Sequence, residues 1–207
     1  MSARPFSADE DTDEKPKEDQ IPAAAVVGRS LYKSRQVPVF GAVDQELAQR
    51  VISQLLALEQ DDPEAPITMI LNSPGGSVTD GFAIYDTMRF IRPEVRVICL
   101  GLCASIATVI LLGAKKEWRT ALPSTKLLIH QVYIPGVVRG QASDLEITAK
   151  DLLQTRQMLN QLLATETGQP LERIEKDTNR DYWMTASEAV AYGLLSRVVA
   201  SRADLGG

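Results

Sequence analysis

Residues 97–114, VICLGLCASIATVILLGA, run between Arg96 and Lys115 without a single charge. Eighteen uncharged residues reach the lower bound for a membrane-crossing helix, so this run decides whether the chain is organised by a bilayer or by a core of its own. Its composition changes midway. The first half is β-branched, the second half is rich in Ala, Leu and Ile, and Gly101 stands between them. That switch predicts a buried strand, a sharp turn and a buried helix, an arrangement a membrane span does not need.

The neighbouring segments support the core reading. Asp44 stands as an N-cap before VDQELAQRVISQLLALEQ, in which Leu47, Val51, Ile52, Leu55, Leu56 and Leu58 recur at helical spacing until DDP. ITMIL (67–71) is a short apolar run bounded by proline and NSPGG, as expected of a strand buried on both faces. TDGFAIYDTMRFIRP then returns to helical period and stops at Pro93, after which VRVICL opens the charge-free run. Two strand-then-helix units in succession predict an α/β fold with a parallel sheet. Farther on, KLLIHQVYI (126–134) reads as another strand. A long helix starts near Ser143, whose hydroxyl and Glu146 fit a capping box, and closes at Gly168 and Pro170. Its length predicts that part of it projects from the core. A last helix is capped by Thr185 and Glu188 and ends at Gly193.

The bulk composition excludes several function classes. With 207 residues, 44% of them hydrophobic, the chain has room for one sizeable core. The net charge of −5 is concentrated: residues 1–20 hold seven acids against Arg4, Lys15 and Lys17, leaving the remainder nearly neutral and without a basic footprint for nucleic acid. That acidic stretch lacks the apolar core of a secretory signal and is too acidic for a transit peptide, so a cytoplasmic chain is expected, with residues 1–28 disordered or removed by processing. Cys99 and Cys103 are expected to be free thiols, because an extended strand sets their Cα atoms roughly 13 Å apart. Two cysteines without histidines at ligand spacing predict no zinc site, and no motif calls for a metal or an organic cofactor.

Three features could carry chemistry. Ser105 falls at the turn into a buried helix, where free N–H groups favour an oxyanion forming beside its hydroxyl; a plain helix cap is the commoner role for a serine so placed. Asn72–Val78, NSPGGSV, ends a buried strand with consecutive glycines, which suits bare backbone donors close to a ligand and equally suits an ordinary tight turn. His130 is the one histidine in the chain, so any serine-histidine-acid apparatus must use it, although a single histidine at a strand end is more often structural.

Joined in order, LNSPGGSVTDGFAIYDTMRFI, GLCASIA, LLIHQ, GQASDLEI and IEKDTNRDYWMTASEAVAYGL resemble the proteolytic subunit family of the Clp protease, a barrel-shaped ATP-dependent serine peptidase, over about residues 31–200. The resemblance implies Ser105 as nucleophile, His130 as general base, and Asp181 rather than Asp177 as the carboxylate that orients the imidazole. It implies an oxyanion hole formed by the backbone N–H groups of Gly76 and Ile106, the latter replacing the methionine usual in the family. The implied fold is a crotonase-like α/β spiral of β-β-α units with a projecting handle helix, spanning 29–201 and followed by a flexible tail at 202–207.

The implied function is endoproteolysis of unfolded polypeptides inside a barrel fed by an AAA+ unfoldase, the Clp ATPase. Heptameric rings would stack as a tetradecamer, alone or together with a paralogous subunit, with no nucleic-acid or membrane partner. Thr68, Ile70 and Thr120 occupy the positions where the family docks its ATPase on aromatic rings, which implies altered docking. Asn179 replaces an acid before Arg180, and the loop after His130 gains Pro135. Two other readings share the sequence: a non-catalytic or regulatory subunit of a mixed barrel, and a crotonase-type acyl-CoA enzyme.

Overall fold

In the computed structural model, which describes residues 22–133, 136 and 139–205, the chain enters through helix α1 (Ala23–Lys33), none of whose residues is buried. Strand β1 (Gln36–Phe40) follows, then α2 (Gln45–Asp61). The start of α2 is set by Asp44, whose carboxylate accepts the Leu47 N–H at 2.8 Å and so supplies one of the partners a first helical turn lacks. From α2 the apolar face of Leu47, Val51, Leu55 and Leu58 enters the core.

Next come β2 (Ile67–Ser73), α3 (Val78–Phe90), β3 (Val95–Ala104) and α4 (Ile106–Leu112). The remaining elements are β4 (Arg119–Ala121), β5 (Lys126–Ile129), α5 (Ala142–Thr167), α6 (Leu171–Thr178), β6 (Tyr182–Thr185), α7 (Ala186–Tyr192) and β7 (Arg197–Val198). Strands β1, β2, β3, β4 and β7 pair in that order, all parallel; β3 also pairs in parallel with β5, which carries β6 on its far edge, antiparallel. The expected α/β class, with a parallel sheet and a projecting helix, is thereby met. No helix among the described residues is long and apolar enough to cross a membrane.

The charge-free run is a buried strand that passes into a wholly buried helix, but the turn is not where composition placed it. Gly101 lies inside β3, at φ +66°, and the single residue between strand and helix is Ser105. At Gly101 the strand changes partner: Val97–Cys99 pair with β4, whereas Leu102–Ala104 pair with β5. The displaced segment is pinned by Asn72, whose Oδ1 accepts the Leu102 N–H at 3.1 Å. Glycine is needed here because the left-handed backbone of the bulge is costly for a residue with a Cβ.

The same bulge corrects the cysteine geometry. Leu71 faces Cys99 and Ser73 faces Cys103, so two residues of β2 span four of β3 and the thiols approach each other rather than standing an extended strand apart. Both are free and buried, and the hydrogen bond that the Cys103 S–H makes to Cys99, together with burial, pushes the Cys103 thiol well up.

Further corrections concern burial and capping. Strand β2 alternates buried and half-buried residues, Ile67, Met69 and Leu71 against Thr68 and Ile70, so one face only is fully covered. Strand β5 stops at Ile129, and His130–Tyr133 have no regular structure. Helix α5 begins at Ala142 behind Gln141, so Ser143 falls inside the first turn and forms no capping box with Glu146, which instead pairs with Lys150 at 2.8 Å. At the other end Gly168 closes α5 in the left-handed conformation, as its sequence predicts. Only the C-terminal end of α5 is buried, through Asn160, Leu163, Ala164 and Thr167; Ile147 and Leu153 are exposed. Thr185 and Glu188 form the predicted capping box of α7. Most of the acidic N-terminal segment, with Ile134 and Pro135, lies outside the described residues, while Arg202–Leu205 of the tail form a short 3-10 turn.

Candidate active site

Ser105 is held in a conformation that L-residues rarely adopt, φ 58° and ψ −129°. Its own backbone bonds explain the placement: the Ser105 N–H donates to Leu128 O at 2.9 Å, continuing the β3–β5 ladder, and its carbonyl receives the N–H of Thr108 at 2.9 Å and the hydroxyl of Thr108 at 2.7 Å, opening α4. A strand that must become a helix within one residue accepts local strain, estimated at about 1–3 kcal/mol, which cluster at sites where a side chain must be presented. Although Ser105 stands at the N-cap position, its side chain makes no capping hydrogen bond. The ordinary explanation of a helix-starting serine therefore does not apply, and the hydroxyl is left for another use.

The glycine pair packs directly against it. A Cβ on Gly75 would lie 2.6 Å from Ser105 Cβ and 2.7 Å from Ala104 O, and one on Gly76 would lie 2.2 Å from Val43 O. Both positions thus exclude any side chain, which lets the backbone after β2 lie flat against the strand-to-helix turn. Val43 fixes the loop from the other side, donating its N–H to Gly75 O at 2.9 Å and accepting from the Ser77 N–H at 2.8 Å. Among the described residues the N–H groups of Gly76 and Ile106 have no backbone or side-chain acceptor. The Ile106 side chain turns away from them into the core, where α3 makes room with a glycine: a Cβ on Gly81 would lie 2.2 Å from Ile106 Cγ1.

Ser105, Ile106, Gly75, Gly76 and His130 line one cavity of about 330 Å³. His130 follows the last residue of β5, is half-buried, and stacks obliquely on Tyr133 with ring centres 5.5 Å apart. The polypeptide beyond it is tied to the end of α6: the Gln131 N–H donates to Thr178 O at 2.6 Å and its Nε2 to Asn179 O at 2.8 Å. Asp181 is exposed and does not line the cavity. The antiparallel β5–β6 pair ends at Ile129 facing Tyr182, so His130 and Asp181 each adjoin the last paired position. Asp177, the other aspartate near this sequence, is engaged elsewhere, accepting from Tyr192 Oη at 3.0 Å and pairing with Arg173 at 3.4 Å.

Among the described residues neither the Ser105 hydroxyl nor the His130 ring makes a side-chain hydrogen bond, so no bond links Ser105, His130 and Asp181 in this state. Catalytic hydrogen bonds are often long before substrate binds. One cavity is thus lined by the serine, the histidine and the two residues whose main-chain N–H groups are free.

Several contributors were not singled out from the sequence. Asn72, which pins the β3 bulge, precedes the glycine loop and carried no signal beyond its place there. Arg156 and Asn160 also line the cavity. They were legible in principle, because 156, 159, 160 and 163 share one face of a helix. Of the three positions expected to surround a docking cleft, Thr68 and Thr120 line a second cavity of about 160 Å³ and Ile70 does not. An aromatic ring is present there after all: Trp118 lies under the Arg96 guanidinium at 3.9 Å.

Comparison with known proteins adds an independent line. A family model described as Clp protease matches residues 19–202. An ATP-dependent Clp protease proteolytic subunit 3 of Rhizobium johnstonii is 46% identical over 197 residues, 95% of this chain and 99% of that protein. Its namesake in Rhizobium etli is also 46% identical, over the same shares of both chains.

Proposed function

The chain belongs to the Clp protease family, and from that membership we propose that it is a serine endopeptidase acting on unfolded polypeptides inside a closed barrel. Ser105 Oγ attacks the scissile carbonyl while His130 takes its proton, and the resulting oxyanion is held by the N–H groups of Gly76 and Ile106. Collapse expels the amine, which receives the proton from His130, and leaves an acyl group on Ser105. A water molecule activated by the same imidazole then releases the acid and restores the serine. Asp181 keeps the imidazole in the tautomer this cycle requires.

The observation that carries this reading is the backbone of Ser105, strained at φ 58° with a hydroxyl that caps nothing, on the wall of the cavity that His130 also lines. A serine in a purely architectural role gains nothing from that strain. Reaction with a fluorophosphonate tests it directly: the intact protein is expected to acquire one adduct at Ser105, and Ser105→Ala none, with peptide hydrolysis lost in parallel. A crotonase-type enzyme would keep its turnover in Ser105→Ala, because main-chain donors alone serve its chemistry.

The lack of a side-chain hydrogen bond between Ser105 and His130 favours one competing reading, a structural subunit of a mixed barrel. Absence of labelling in every assembly state would establish that alternative. The barrel itself, two heptameric rings fed by a Clp ATPase, is supported by family membership, and native mass measurement with and without a paralogous subunit tests its composition. ATPase docking is assigned to the cleft of Thr68, Thr120 and Trp118.

A further inference from the structure

The cavity beside Ser105 carries a cation that the proposed reaction does not use. Arg156 lines it from α5, next to Leu159, Asn160 and Leu163. Arg156 is half-buried and has no ion-pair partner among the described residues, whereas Arg119 is compensated by Glu166 and Arg96 by Glu94. Among the described residues no carboxylate lines the cavity. Asn160 is 4% exposed, with its Oδ1 3.0 Å from the Thr178 hydroxyl, and its Nδ2 has no acceptor among the described residues. Around these donors the wall is apolar, formed by Val109, Ile129 and Leu163.

A pocket with aliphatic walls and unpaired donors complements a side chain with a methylene stem and a carboxylate tip. We infer that Arg156 and Asn160 make this cavity a subsite for an acidic side chain, so that polypeptides are cut after glutamate in preference to apolar or basic residues. The inference rests on the peptidase reading above. Glutamate matches better than aspartate, because its longer stem spans the apolar wall before its carboxylate meets the guanidinium. Lysine is excluded by like charge, and leucine leaves both donors desolvated without partners. Selectivity of this kind acts on kcat/KM, since the contact forms as the scissile carbonyl is seated against Ser105.

The test uses the full-length assembled protein and four fluorogenic peptides identical except for Glu, Gln, Leu or Lys at the residue whose carbonyl is attacked. The expected order of kcat/KM is Glu, Gln, Leu, Lys, with Glu ahead of Leu by about tenfold or more, the size expected of one charge-assisted hydrogen bond. Arg156→Met is expected to collapse the Glu-to-Leu ratio, Arg156→Lys to restore much of it, and Arg156→Glu to move the preference to Lys. If the assembly turns over too slowly to assay, the rates at which aryl phosphonates bearing Glu-like or Leu-like side chains label Ser105 report the same ratio. A wild-type preference for Leu over Glu, or a ratio unchanged in Arg156→Met, overturns the subsite while leaving the peptidase intact. Complete failure of Ser105 to react with any peptide or phosphonate overturns both.

Discussion

The Ser105 N–H donates to the Leu128 carbonyl at 2.9 Å, two residues before His130 in the chain. One ladder hydrogen bond therefore sets the separation between the proposed nucleophile and the proposed base, and it belongs to the sheet rather than to a loop. Because the spacing is built into paired strands, removing the imidazole should silence the serine without displacing it. His130→Ala is expected to slow fluorophosphonate labelling of Ser105 by about 10²–10⁴, the usual contribution of a positioned general base. Its thermal unfolding midpoint should stay close to that of the wild type. Labelling at the wild-type rate would show that His130 does not activate Ser105.

Gly75→Ala tests the contact between the glycine loop and the nucleophile turn. The added methyl would sit 2.6 Å from Ser105 Cβ on a residue at φ +90°, so both steric overlap and an unfavourable backbone oppose it. The backbone term alone costs roughly 1–2 kcal/mol. Since the obstructing atoms are those of Ser105 and Ala104, relief must move the turn. Peptide hydrolysis should fall by at least tenfold, a loss of about 1.4 kcal/mol of transition-state stabilisation, while circular dichroism keeps its native form. Activity within a factor of two of wild type would contradict the close packing.

Arg119 is the buried cation of the core, 1% exposed, and its guanidinium joins three elements. It donates to Ala114 O at 2.8 Å and Leu112 O at 3.2 Å, at the end of the helix that begins beside Ser105, and it pairs with the Glu166 carboxylate near the end of α5. Arg119→Met should destabilise the fold by about 3 kcal/mol, because it leaves the partly buried Glu166 carboxylate with only the half-exposed Arg89 for a partner and strands two carbonyls. Adding Glu166→Leu should recover part of that loss by removing the under-compensated charge. Urea midpoints of the single and double variants measure the coupling, and strict additivity would refute it.

The capping box of α7 makes an acid-side prediction. The Glu188 carboxyl is held below its ordinary value of 4.5, first by the Thr185 backbone N–H and then by the Thr185 hydroxyl. A depressed folded-state pKa means that the unfolded chain binds the proton first. The resulting stability is present above the ordinary glutamate value and is lost as the pH falls through the lower folded value. In urea titrations, wild type should be more stable than Glu188→Gln at pH 7, and the gap should narrow below about pH 4.5. A gap independent of pH would mean that the carboxylate charge plays no part in the cap.

Local pattern accounts for much of what is seen. The Asp44, Thr185 and Glu188 caps, the left-handed glycines that close α5 and α7, and the buried strand and helix of the charge-free run are all readable because each depends on residues within a turn or two of one another. The order of motifs from Asn72 to Gly193 carried the family resemblance for the same reason, since a motif is a record of local requirements. The sequence alone also dismissed a membrane span, through the change of composition within residues 97–114.

Contacts between distant segments decided the rest. Nothing near Gly101 tells a strand to bulge and exchange β4 for β5; that depends on Asn72, thirty residues away, accepting the Leu102 N–H. The bulge then moves the turn from Gly101 to Ser105 and draws Cys99 and Cys103 together. Likewise, the emptiness of the Ser105 cap, the fit of Gly75 against it and the presence of Arg156 in the same cavity are relations across the sheet and to α5. Periodicity can assign a residue to a face but not say what that face will meet. That choice is made by packing, which couples residues according to their distance in space rather than along the chain.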